Sequence, residues 1–170
     1  MASSLTFSRV AGIAMVLVAS VLLASCAKTP ANGPGGAGGP GVGVTGNAAP
    51  GSPQDFVINV GDRVFFDTDS TDLSAQARAT LDRQAQWLNT YPRYTFTIEG
   101  HADERGTREY NIALGARRAT AVQDYLISRG VAANRMHTIS YGKERPVAVC
   151  DDISCWSQNR RAVTVVTGGN

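Results

Sequence analysis

From Gln54 onward the chain predicts an α/β (α+β) domain, a two-layer sandwich with helices on one face of a mixed sheet. Three observations carry that expectation. Two segments, Ser74 to about Thr90 and about Arg108 to Arg129, repeat apolar side chains at helical spacing. Short runs rich in β-branched and aromatic residues stand before, between and after them. Strands separated by long helices, on roughly 110 residues, bury their apolar faces most simply as two layers.

The elements follow in order. Phe56-Val57-Ile58 reads as a short edge strand and Arg63–Phe66 as a stronger one. A polar loop, Asp67 to Asp72, carries three carboxylates. Leu73, Ala77, Leu81, Ala85 and Leu88 mark the first helix, with Ser74 as its N-cap and Pro92 past its end. Tyr94–Glu99 alternates as a strand that breaks at Gly100, and the polar loop His101–Gly106 follows. Thr107 caps the second helix, Glu109 suits the positive end of its dipole, and Gly130 closes it. Its core stripe is Ile112, Ala119, Val122 and Leu126. His137–Tyr141 is a third strand, Gly142–Asn159 an irregular excursion, and Ala162–Thr167 a last strand.

The N-terminal third belongs to something else. Met1–Arg9 is a short segment with one basic side chain, and Val10–Ala24 is uniformly apolar. That apolar run is short of the ~20 residues needed to span a bilayer as a helix. Residues 1–25 therefore read as a cleaved signal peptide. The run ends Leu23-Ala24-Ser25-Cys26, which resembles a bacterial lipobox and marks Cys26 for lipidation. Two or more acyl chains, at ~0.8 kcal/mol per buried CH₂, suffice for stable anchoring. Ala27 stands where an aspartate would retain such a protein at the inner membrane, so the outer membrane is the expected address. Residues 26–53 are a Gly/Pro-rich tether without the apolar surface to offset the ordering cost of ~1–2 kcal/mol per residue. Its typical reach is roughly 30 Å.

Composition narrows the function classes. The 170 residues carry 16 basic and 14 acidic side chains, net +2, with the signs interspersed after residue 54. Nucleic acid is not an expected partner. No Cys-His or Ser-His constellation is readable, and the acids at 67, 69 and 72 share one loop rather than facing each other across a glycosidic bond. An enzyme is not expected, and no cofactor is implied. With Cys26 taken by lipid, Cys150 and Cys155 remain, an even number in an oxidising compartment. A zinc site would need two more ligands, and the two histidines are distant in sequence. A structural disulfide between Cys150 and Cys155 is the expectation.

The residues that carry chemistry lie around the second helix. Asp103, in the loop before it, and Arg118, further along it, can point at one space, which suits a ligand with a free amine and a free carboxylate. They serve equally well, on the residues alone, as a structural ion pair between loop and helix. Asn111, Leu114 and Arg118 stand at i, i+3 and i+7 and share a stripe offset from the core. His101 reads as a structural histidine, and Arg160 and Arg161 as anchors of the last strand through loop carbonyls.

Five motifs in order, Phe66-Asp67-x-Asp69-Ser70, Glu99–Gly106, Tyr110-Asn111-x-x-Leu114-x-x-Arg117-Arg118-Ala119, Ser140-Tyr141-Gly142 and Asn159–Val163, resemble the OmpA-like peptidoglycan-binding domain. The resemblance covers essentially all of 54–167, and the lipobox and tether place it with the lipoprotein members of that family. It implies a βαβαβ-type domain over 54–170 that binds peptidoglycan through the diaminopimelate of the peptide stem. The diaminopimelate-binding residues carried over are Asp69, Asp103, Asn111, Leu114 and Arg118. The chain departs from many relatives at Thr68, where they carry an aromatic side chain. The resemblance also implies TolB and other Tol proteins as partners, and a place in envelope integrity and cell division.

Overall fold

The computed structural model describes residues 48–168. The expected signal peptide, Cys26 and most of the tether lie outside them. The folded packing takes in Gly51, ahead of the expected start at Gln54, because its carbonyl accepts from the Tyr94 hydroxyl at 2.8 Å.

The first segment differs from its expected strand. Ser52 caps a single helical turn, α1 (Pro53–Asp55), its side chain accepting from the Asp55 N–H, with Pro53 at the first helical position. The chain continues as a π-helical turn, Phe56–Gly61. The cause is tertiary: Phe56 is fully buried edge-on against Trp87, and Asp55 accepts from the Trp87 indole N–H at 2.8 Å. A periodicity count over three apolar residues contains neither contact.

Strand β1 (Arg63–Phe65) leads through the 66–72 loop to helix α2 (Ala75–Thr90), which Ser74 caps by accepting from the Ala77 N–H. Strand β2 (Thr95–His101) runs through Gly100 instead of ending there, slipping register only at His101. Helix α3 (Arg108–Ser128) is capped by Thr107. It closes with the Val131 N–H on the Leu126 carbonyl and the Gly130 N–H on the Ile127 carbonyl, Gly130 taking φ +84°. Strand β3 (Met136–Gly142) follows. The stretch expected to be irregular contains helix α4 (Ile153–Asn159), whose N-cap Asp152 accepts from the Ser154 N–H. Strand β4 (Arg161–Thr167) ends the fold.

The sheet order is β1-β4-β2-β3. β4 pairs antiparallel with both β1 and β2, while β2 and β3 are parallel and joined through α3. One core lies between α2, α3 and the sheet, built from Leu81, Leu88, Phe96, Ile98, Val122 and Leu126 among others. Its polar exception is satisfied: buried Gln84 donates to the Gly61 carbonyl and accepts from Thr164 Oγ1. Arg135 donates to the carbonyls of Leu88, Tyr91 and Tyr94, tying the end of α2 to the start of β2.

One contact sets where α3 lies. A Cβ on Gly100 would stand 1.8 Å from the Gly115 carbonyl oxygen, and one on Gly115 would stand 2.4 Å from Ser140 Oγ. Only a glycine on each side lets helix and strand backbones approach this closely. The N-terminal half of α3, with Asn111, Leu114 and Arg118, is thereby laid against the β2 end and the loops beyond it.

Candidate functional site

A cavity of about 320 Å³ opens where the 66–72 loop, the 101–106 loop and the first turns of α3 meet. Its lining includes all five sequence-derived candidates, Asp69, Asp103, Asn111, Leu114 and Arg118, together with Thr68, Arg105, Gly106 and Tyr110. Residues from three separate segments are thus brought to one space.

Arg118 forms the floor and is fully buried, which its position on a polar helix stripe does not suggest. It donates from Nε to the Ser70 carbonyl (2.9 Å), from Nη1 to the His101 carbonyl (2.8 Å) and from Nη2 to the Asp67 carbonyl (3.1 Å). A guanidinium has five N–H donors, so two remain. Burial pushes its pKa down to about 10, helped by the Arg160 charge and opposed by Asp103 and Asp69, which leaves it cationic at neutral pH. It therefore performs two tasks: it fastens both loops to α3, and it puts a positive charge beneath the cavity.

The loop–helix ion pair between Asp103 and Arg118 is not what holds Asp103. Arg105 donates to it from Nη2 (2.7 Å), from Nε (3.1 Å) and from its backbone N–H (3.2 Å). Arg160 adds Nη1 at 3.3 Å while its Nε holds the Phe66 carbonyl. Burial acts to raise the Asp103 pKa, but the Arg105 and Arg160 donors more than offset it and hold the carboxyl below its usual range. The carboxylate is ionised and aimed.

Asp69 lines the same cavity from a backbone at φ +53°, in the left-handed region that few non-glycine residues adopt. Arg118 holds the carbonyls on either side of it, at Asp67 and Ser70, which stabilises that conformation. Its carboxylate accepts from the Tyr110 hydroxyl and pushes the phenol pKa up. Asn111 donates from Nδ2 to the Arg105 carbonyl at 2.7 Å, bracing the 101–106 loop, and buried Leu114 supplies the apolar wall.

Sequence reasoning passed over Tyr110, Arg105 and the contact of Arg160 with Asp103. Tyr110 lies inside a quoted motif and adjoins Asn111, a usable signal. Arg105 likewise lies inside the Glu99–Gly106 motif, but side-chain direction in a loop follows no period, so its contact with Asp103 is not readable from spacing. Arg160 and Arg161 do hold loop carbonyls, Arg161 donating to those of Asn159 and Arg145. His101 is 1% exposed, its ring tilted at 31° to that of Tyr141 with centroids 5.6 Å apart, and neither ring nitrogen is hydrogen-bonded to protein.

Beside the cavity, Trp156 of α4 lies against Arg105, the guanidinium carbon 4.1 Å from the ring centroid, and donates its indole N–H to Glu104. Cys155 is bonded as a disulfide to Cys150, their Cα atoms 5.7 Å apart.

Comparison with known proteins identifies the family. The OmpA family matches residues 65–160. The chain is similar to the peptidoglycan-associated lipoprotein of Rhizobium meliloti, 69% identical over 92% of this chain and 88% of that one. It is also similar to the peptidoglycan-associated lipoprotein of Agrobacterium fabrum, 67% identical over 92% and 86%. Among solved structures, the peptidoglycan-associated lipoprotein from Burkholderia pseudomallei superposes with a TM-score of 0.64 at 42% identity, covering 68% of this chain and all of that one.

Proposed function

The chain belongs to the OmpA family, and from that premise we propose that it binds the peptide stem of peptidoglycan through diaminopimelate, as a lipid-anchored protein of the outer membrane. The observation that carries this reading is the convergence of Asp69, Asp103 and Arg118 from three segments on one cavity of about 320 Å³. Diaminopimelate presents an ammonium and a carboxylate on one distal carbon. The carboxylates of Asp103 and Asp69 accept from the ammonium, and the positive charge of Arg118 beneath the cavity favours the carboxylate. Asn111 keeps the loop in place, and Leu114 packs against the methylene chain.

The name of the two curated relatives, peptidoglycan-associated lipoprotein, supports the same reading. The chain's part in it is to hold rather than to cut. Arg118 and Arg160 are held in fixed hydrogen bonds, and among the described residues no serine or cysteine is hydrogen-bonded to a histidine. A lipidated Cys26 followed by the Gly/Pro-rich 26–53 segment would keep the domain in the periplasm beside the cell wall. By family resemblance, TolB and the other Tol proteins are its protein partners, within the Tol–Pal system.

Co-sedimentation with purified sacculi tests this. Wild-type protein should pellet with them, and Asp103→Ala and Arg118→Ala should each lower binding at least tenfold, a charge-assisted pair being worth ~1.5–3 kcal/mol. Variants that bind like wild type overturn the site. Soluble muropeptides released from the sacculi would show an enzyme instead.

A further inference from the structure

Arg105 is placed where a ligand's ammonium has to go. Its guanidinium and its backbone N–H engage both oxygens of Asp103. An ammonium that takes Asp103 must therefore displace the side-chain fork. The fork is able to give way: the Arg105 side chain is 40% exposed, against 7% for Arg160, the other arginine on Asp103. The backbone beneath it is fixed, since Lys143 Nζ donates to the carbonyls of Glu104 and Gly106, one on each side of Arg105. Trp156 supplies a second resting place. A cation over an indole face is held without a directional bond, so the guanidinium can turn away from Asp103 while staying on the ring. Arg160, buried and bound to the Phe66 carbonyl, remains to keep Asp103 ionised.

We propose that Arg105 is a specificity-determining residue of this site: a pivoting counter-ion that admits only ligands bringing an ammonium and a carboxylate together. A distal amine alone would take Asp103 and leave the exposed Arg105 guanidinium without its anion. A distal carboxylate alone would bind Arg105 and strip Asp103 of its main partner. Breaking one side of a partly buried ion pair is costly unless the freed charge is paired again. A carbon bearing both groups replaces one internal ion pair by two intermolecular ones. Arg118 cannot make this exchange, because its buried guanidinium already holds three carbonyls.

The inference rests on the proposed diaminopimelate site, and its test separates the two. Three tripeptides, L-Ala-γ-D-Glu-X, carry at X meso-diaminopimelate (distal amine and carboxylate), lysine (amine only) or 2-aminopimelate (carboxylate only). Each is titrated calorimetrically into the full chain purified in detergent. Wild type should prefer the diaminopimelate peptide to both others by at least tenfold. Arg105→Gln should reduce that preference to roughly threefold or less, weakening the diaminopimelate peptide and strengthening the lysine one. Arg105→Lys, which keeps the charge and removes the fork, should fall between. A wild-type ratio retained in both variants overturns the role of Arg105 alone. Failure of wild type to bind the diaminopimelate peptide overturns the proposed site and this inference with it.

Discussion

His101 makes the fold sensitive to acid, and the size of the effect can be worked from its surroundings. The ring is buried, both nitrogens lack a protein hydrogen bond, and Arg161, Arg145 and Arg63 add positive field around it. Glu99 Oε2 stands 3.5 Å from Nε2, an attraction that only the protonated ring could use. Burial, followed by the three arginines, exceeds that pull and lowers the pKa from 6.5 to about 4. The folded value lies below the unfolded one, so between those pH values the unfolded chain binds the extra proton. Stability is therefore full above pH 6.5 and falls as the pH drops towards 4. The total loss is about 3 kcal/mol at 1.36 kcal/mol per pKa unit, with about 2 kcal/mol gone by pH 5. Carboxylates titrate in the same range, so the measurement is a difference: urea unfolding of wild type and His101→Leu at pH 7.5, 6 and 5. The leucine variant has similar volume and no buried polar nitrogens, and it should gain on wild type by about 2 kcal/mol between pH 7.5 and 5. A difference independent of pH, or one in which wild type gains as the pH falls, would show that Glu99 captures the proton and that this account of the ring is wrong.

Two further outcomes follow from backbone geometry and covalent closure. Gly100→Ala drives a Cβ to 1.8 Å from the Gly115 carbonyl, a backbone atom that can retreat only if α3 moves. The loss should be ~3 kcal/mol or more, at or above the usual range for overpacking. It should appear as a lowered urea midpoint together with weaker sacculus binding, because α3 carries Asn111, Leu114 and Arg118. An unchanged midpoint would refute the close approach. Replacing Cys150 and Cys155 together by serine reopens a loop of sequence separation 5 and should cost about 2 kcal/mol by loop-closure entropy. The native protein should resist alkylation at both Cys150 and Cys155 until it is reduced, and ready labelling of both would count against the bridge.

The amino-acid sequence by itself determined the features whose causes are local. Ser74, Thr107 and Gly130 start and stop the two long helices because a hydroxyl cap and a left-handed glycine act within one turn of their own positions. The two helical stripes, apart from half-buried Ile112 outside the core, and the β4 run were legible for the same reason, since periodicity needs no partner. Asp69, Asp103, Asn111, Leu114 and Arg118 were legible as candidates because their motifs recur in order. Where a local signal was short, a distant contact decided. Phe56–Gly61 became a helical turn against Trp87, and Ile153–Asn159 became a helix in a stretch read as irregular.

Tertiary structure alone decided what each charge does. Arg118 lies flush with its helix stripe in the sequence, yet the 66–72 and 101–106 loops close over it and occupy three of its donors. Asp103 turns to Arg105 and Arg160, one two residues away and the other 57. Spacing along the chain fixes which face a side chain leaves from, but the partner it reaches depends on which loops the packing of α3 against β2 brings beside it.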